Sequence, residues 1–194
     1  MNNPTIAVRH FMISPSTEVP WVSVLVAWRQ FDVNIARTDM RRHPSLMALS
    51  HDHHHGLALA LRCRKQALGR IKPMGIQGLR ERADEVKGFF SKNLERHFEA
   101  EEKILFPLMS SCVPESQSLI QRLIEDHRKM RAAMRNLRGD ADMAKILFDF
   151  GDLLEEHIRR EERELFLLFE RYITQEDAGR IKSEIERALE QRVA

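Results

Sequence analysis

Cysteine is almost missing from this chain. Two residues in 194, Cys63 and Cys112, cannot build a disulfide framework, and with no CxxC they offer no zinc-thiolate site. Long apolar runs are missing as well. The longest, roughly Trp21 to Trp28, falls far short of the ~20 residues a spanning helix needs. Glu18 just before it, and no clear small-residue cleavage site after it, make it a poor signal peptide. One-sided charge is absent too, since 31 Lys and Arg face 29 Asp and Glu, interleaved rather than blocked. A net charge of +2 excludes an electrostatic case for nucleic acid or an acidic membrane as partner. The expected setting is a reducing cytoplasm.

What is present suits one helical domain: 43% apolar residues suffice for a core, and 31% charged residues fit amphipathic helices. Breakers divide the chain into five helical segments. The first is predicted from about Pro44 to about Arg70, stopped by Lys72-Pro73-Met74-Gly75. The second runs from about Gln77 to Ser111, with Pro107 expected to kink or end it after Phe106. Pro114 and Ser116 open the third, which closes at Leu137 with Gly139 as the C-terminal cap. Asp140 begins the fourth, ending near Tyr172. Thr174, followed by Glu176 and Asp177, reads as the N-cap of a short fifth helix, whose Ile181, Ile185 and Leu189 pack on the bundle or on a second subunit. A homodimer through this helix is one expected partner state. Residues 1–39 form an N-terminal extension without a repeat partner, carrying Pro4, Pro15 and Pro20. Met40 stands where the patterned part, residues 40–194, begins, and is a candidate start of translation; a short strand or helix covering the bundle is the alternative for the segment before it.

The strongest signal is a repeat. HFEAEEKILFPL from His97 and HIRREERELFLL from His157 are identical at six of twelve positions. In each, a His and a Glu lie four apart, His97 with Glu101 and His157 with Glu161, on one face of a helix. Both pairs fall on the apolar seam: Phe90, Leu94, His97, Glu101, Ile104, Leu108 in one copy and Phe150, Leu154, His157, Glu161, Leu165, Leu168 in the other. Leu119, Leu123, His127, Met130, Met134, Leu137 gives His127 a core slot on the third segment. LSHDHHHGL places Asp52 and His53 as LIEDHRKM places Asp126 and His127, three and four residues after a leucine, so His53 is its counterpart on the first. A buried carboxylate without a partner is too costly to keep, and a metal between the helices answers the cost.

Four antiparallel helices carrying inward His53, His97, Glu101, His127, His157 and Glu161 form a cage for a pair of first-row ions. Nitrogen and carboxylate donors without thiolate favour iron, with manganese or zinc as alternatives. Neither HExxH nor ExxH occurs. Elsewhere, His51 and His55 make an outward i, i+4 pair for a surface ion or for solvent. His54 is a candidate neighbour of the ligands. Asp52 and Asp126 either orient an adjacent imidazole or face water. Phe106, Phe148, Phe150, Phe166 and Phe169 are read as core.

The motifs DH on the first and third helices, HxxxEExxLF on the second and fourth, and LFP after the first pair resemble the hemerythrin-like family, the HHE cation-binding domains, from about His43 to Tyr172. The resemblance implies an all-α, up-down-up-down four-helix bundle around a non-haem di-iron centre. It makes His53, His97, His127 and His157 terminal ligands and Glu101 and Glu161 bridges, with Glu162 a weaker substitute for Glu161. The chain departs from the family's oxygen carriers, whose third helix supplies two histidines four apart; here Leu123 and Arg131 flank His127. The two HxxxE pairs are similar to those of the iron-centre repair proteins, but the further first-helix histidine of those proteins has no counterpart around Gly69 to Gly75, nor does their cysteine-bearing N-terminal domain. The implied function is to bind or sense O2, NO or peroxide, or to handle iron. A di-iron enzyme decomposing peroxide or reducing NO, an iron-centre repair protein, and a metal-free interaction protein are the alternatives. Eight protein donors plus a bridging oxide or hydroxide leave about two of roughly twelve octahedral positions open.

Overall fold

The computed structural model describes residues 42–190; the expectations for residues 1–39 and for Met40 lie outside the described residues. Pro44 opens a 3-10 turn, Pro44–Leu46, whose Ser45 N–H donates to Nδ1 of His43 at 3.2 Å. From it runs α1, Met47–Ala67. The helix ends three residues before the predicted Arg70. Gly69 takes a φ of 63°, and the amides of Gly69 and Arg70 turn back to the carbonyls of Gln66 and Lys65, so the last carbonyls are satisfied before the proline is reached.

Helix α2 spans 75–112 and α4 spans 143–172, and neither is a plain α-helix. In α2 the α-helical segments Gly75–Phe89, Glu95–Ala100 and Phe106–Cys112 are separated by π turns at Phe90–Leu94 and Glu101–Leu105. In α4 the segments Met143–Arg160 and Phe166–Tyr172 flank a π turn at Glu161–Leu165. Between them lies α3, Gln117–Asn136, and after them α5, Gln175–Glu190. Gly139 does not serve as the predicted left-handed cap. Leu137 closes α3 through the Ala133 carbonyl, and the positive φ of the connection, 57°, falls on Asp142, delaying α4 to Met143. Thr174 behaves as expected, its hydroxyl accepting from the Asp177 amide at 3.1 Å.

The π turns alter the seam read from sequence. Each admits one extra residue: the Phe106 amide reaches back five residues to the Glu101 carbonyl, and Phe166 to Glu161. Past the glutamates the inward register therefore moves by one. Leu105 and Phe169 are 0% and 1% exposed, whereas Ile104 and Leu168 are only partly buried. Pro107 does not end α2; it stands at the second position of the segment that follows the π turn. The matching turn in α4 contains no proline, so the turn belongs to the repeat and not to Pro107.

Short connections make sequential helices antiparallel neighbours, and the four long helices form an up-and-down bundle. The core comes in two apolar clusters. Leu46, Leu49, Met109, Leu123, Phe166 and Phe169 belong to one, and Leu59, Val86, Phe98, Phe150, Leu154 and Ile158 to the other. Ile181 and Ile185 of α5 join the first and Leu189 packs on it, so the fifth helix spends its stripe on its own bundle. Of the aromatics expected in the core, Phe106, Phe150, Phe166 and Phe169 are buried and Phe148 is half-buried. No helix among the described residues is long and apolar enough to cross a membrane.

The approach of α1 and α4 depends on a glycine. A Cβ on Gly151 would lie 2.6 Å from the Ala60 carbonyl oxygen and 3.0 Å from Cys63 Cβ. The backbone of α1 cannot yield to it locally. Gly151→Ala should destabilise the protein by about 1–3 kcal/mol, measured by urea unfolding. Gly179→Ala, on exposed α5 with open space around it, should be neutral or stabilising by about 0.5–1 kcal/mol.

Candidate metal centre

The six side chains singled out by the repeat meet in one layer between the two apolar clusters. His53, His97, Glu101, His127, His157 and Glu161 are each 3% exposed or less. They form two four-residue groups, His53, His97, Glu101, Glu161 and Glu101, His127, His157, Glu161, each with its ligand atoms within 4.8 Å of one another. The groups share both glutamates. Glu101 turns Oε1 to His97 Nε2 at 3.0 Å and Oε2 to His127 Nε2 at 3.4 Å. Glu161 Oε2 lies 3.2 Å from His53 Nε2 and 3.3 Å from His157 Nε2. Within each half the two Nε2 atoms are 3.1 Å apart.

Two of the three π turns, Glu101–Leu105 and Glu161–Leu165, begin at these glutamates. An i→i+5 turn opens the helix where the carboxylate leaves it, an irregularity frequent at functional sites. Aromatic rings fix the imidazole planes: Phe98 stacks on His127 with centroids 3.8 Å apart, and Phe166 on His53 at 5.5 Å.

While every Nε2 faces the centre, every Nδ1 faces a carboxylate on a neighbouring helix. His53 meets Glu162 at 2.7 Å and His97 meets Asp52 at 3.3 Å. His127 meets Glu102 at 2.7 Å, and His157 has Asp126 at 3.8 Å, an ion-pair distance too long for a hydrogen bond. Asp52 thus takes the orienting alternative toward the histidine of the helix that follows its own; Asp126 faces His157 in the same way but takes its hydrogen bond from Arg160. Glu162 does not replace Glu161 among the central atoms; it backs His53 from outside, paired with Arg42 and bonded to Ser50. Glu102, held by Arg131 at 2.8 Å, was missed as an individual residue. The doubled glutamate at 101–102 and 161–162 was its signal. His51, His54 and His55 are exposed; the rings of His51 and His55 touch edge to face, 5.0 Å between centroids. Of the residues flanking His127, Leu123 is fully buried in apolar core and Arg131 turns to Glu95 and Glu102.

The protons of the metal-free layer follow from these contacts. Burial opposes charge on His97, but the Glu101 carboxylate and the Asp52 contact outweigh it and raise the imidazole to about 10. Burial is likewise outweighed at His53 by Glu161 and Glu162, and at His127 by Glu101 and Glu102, so both are raised. Glu101 is held well below its ordinary range, despite burial, by the His97 charge and by His127. Glu162, for which burial is outweighed by His53, Ser50 and Arg42, falls to about 2.

All four carboxylate oxygens of Glu101 and Glu161 lack a hydrogen bond although they are buried; the nearby imidazole nitrogens do not approach them in bonding directions. Buried acceptors left this way cost several kcal/mol unless a cation meets them. Four imidazole nitrogens converging on the same space complete a donor set that fits a divalent first-row ion in each half.

A family profile, the hemerythrin HHE cation binding domain, matches residues 45–169. The chain belongs to this family of cation-binding four-helix bundles. No curated protein and no solved structure matches it.

The raised imidazoles carry a pH dependence of definite sign. Without metal, the stabilisation from charged His97 is complete below its ordinary 6.5 and is lost as pH rises through about 10. A metal must displace those protons, so its binding strengthens over the same range. With chelator present, the melting temperature should fall from pH 6.5 to 10; metal-loaded protein should not show this fall. Calorimetry in buffers of different ionisation enthalpy should register proton release on metal addition. A chelated protein equally stable across the range would mean that the layer is not held by imidazolium.

Proposed function

We propose that the chain is a non-haem di-iron protein that binds, senses or reacts with a small ligand such as O2, NO or peroxide. The observation that carries this reading is the sharing of Glu101 and Glu161 by two otherwise separate histidine pairs. A single ion would need only one of the four-donor groups; two overlapping groups would accommodate two ions, with Glu101 and Glu161 offering carboxylate oxygens to both. His53 and His97 would hold one ion and His127 and His157 the other. Iron, when bound, would supply one-electron redox chemistry and open positions for an exogenous ligand. Manganese and zinc accept the same donors less characteristically.

What the chain itself does follows from its geometry. The donor residues are almost wholly shielded from water, which favours a small diatomic or peroxide over a bulky organic substrate. The ring stacks of Phe98 and Phe166 and the carboxylates at Nδ1 of His53, His97 and His127 hold those imidazoles with Nε2 inward, the orientation a metal requires. Neither Leu123 nor Arg131 adds a donor, so the third helix contributes one histidine where an oxygen carrier has two. That spare position supports a reactive or sensing centre over an oxygen store.

Anaerobically purified protein should contain about two irons per chain by elemental analysis, consistent with shared bridges. Glu101→Ala or Glu161→Ala should lose most of that iron. Arg128→Ala, exposed beside His127 but outside the layer, should keep it. Full metal occupancy in both glutamate variants would remove the bridging assignment. For the iron-loaded protein, optical spectra through repeated air and deoxygenation cycles should show net oxidation of the metal. Reversible oxygen carriage without net oxidation would restore the carrier reading.

A further inference from the structure

The repeat gives the two halves of the centre the same donors, but it does not give them the same surroundings. The first half, His53 and His97, is backed by Glu162 and Asp52; the second, His127 and His157, by Glu102 and Asp126. These four carboxylates differ in their counter-charges. Glu162 pairs with Arg42, and Glu102 with Arg131. Asp126 pairs with Arg160 at 2.5 Å and has Lys129 at 3.9 Å. Asp52 has no lysine or arginine partner among the described residues, only the His97 ring at 3.3 Å.

The second half thus carries three cations against its two backing carboxylates, Arg131, Arg160 and Lys129, while the first carries one, Arg42. Distance adds to charge. The carboxylate behind His97 stands 3.3 Å from Nδ1, and its counterpart behind His157 stands 3.8 Å away, drawn off toward Arg160. A carboxylate close to Nδ1–H makes the imidazole a stronger donor, and an unneutralised negative charge nearby favours a cation directly. Asp52 is partly exposed, so solvent weakens its effect without cancelling it.

We propose that the two metal positions are unequal, and that Asp52 sets the difference: the His53–His97 position fills first and holds a divalent cation more tightly, and the His127–His157 position fills second. This rests on the metal-centre reading above and adds to it which residue makes two chemically identical donor sets distinct. Asp52 touches no metal; it is a positioning residue that acts through His97.

The test is an anaerobic titration of the full, metal-stripped chain with Co(II), followed by calorimetry and visible absorption. Wild type should fill in two steps whose affinities differ by about tenfold or more, the scale at which outer partners of metal ligands act. Asp52→Asn keeps an oxygen for His97 Nδ1–H but removes the charge; it should weaken the first step about tenfold and draw the two together. Asp126→Asn should do the opposite, weakening the second step and widening the gap, because Arg160 and Lys129 are then left uncompensated. Arg160→Gln, which removes no carboxylate, should tighten the second step and narrow the gap from the other side. Opposite signs from the two aspartates cannot come from a general loosening of the bundle. A single filling step in wild type, or Asp52→Asn and Asp126→Asn weakening the same step, would overturn the inequality. Failure of wild type to take up any Co(II) would instead remove the metal-centre reading, and this inference with it.

Discussion

Two carboxylates, Glu101 and Glu161, are wholly buried in the middle of a helical bundle with no hydrogen bond to any of their oxygens. The surrounding layer is organised around them. The apolar core is divided to make room for them. Four imidazoles are turned to face them, and a second tier of carboxylates is set behind those imidazoles to keep them turned. A bundle of this size could have filled the layer with leucine and been more stable for it. A cation held between the two carboxylates would offset the cost of burying them.

The repeat explains how such a layer is assembled from simple parts. Each half of the chain supplies a helix with one inward histidine and a helix with a histidine and a glutamate. The four Nδ1 partners interlock in a ring, each reaching from one helix to the histidine of another. Asp52 on α1 serves α2, Glu102 on α2 serves α3, Asp126 on α3 serves α4, and Glu162 on α4 returns to α1. No helix can rotate without breaking two of these contacts. Register is therefore set by polar contacts in the same layer that sets the chemistry.

Much of this is legible in the sequence. The 3.6-residue period placed His97, Glu101, His127 and His157 on seams of long helices, and the leucine spacing of the DH motif placed His53. The bridging roles are what the family resemblance implies, and periodicity cannot give them. The errors have local causes. A constant period through Glu101 and Glu161 puts Ile104 and Leu168 on the seam, but the helix takes an extra residue there. Hydrophobic spacing gives no warning of a π turn when Leu105 and Phe106 stand beside Ile104, all suited to burial. Gly139 looked like a cap because glycine usually is one; the left-handed residue is Asp142, a residue type that tolerates the conformation less often. Glu102 escaped notice because a carboxylate next to a ligand is ordinarily read as solvated surface, and only tertiary packing brings it to His127 on another helix.

The backing carboxylates have a consequence for where the centre ends. Glu162 is tied to Arg42, Glu102 to Arg131 and Asp126 to Arg160, and these arginines reach partly into solvent. Arg42 and Arg131 are each two hydrogen-bonded links from an imidazole that is shut away from water, and Arg160 holds a carboxylate that faces His157 at 3.8 Å. The electrical boundary of the buried layer therefore lies outside its steric one. A change of partner or charge at one of these guanidinium groups acts first on the carboxylate it holds, and that carboxylate already faces the buried ring.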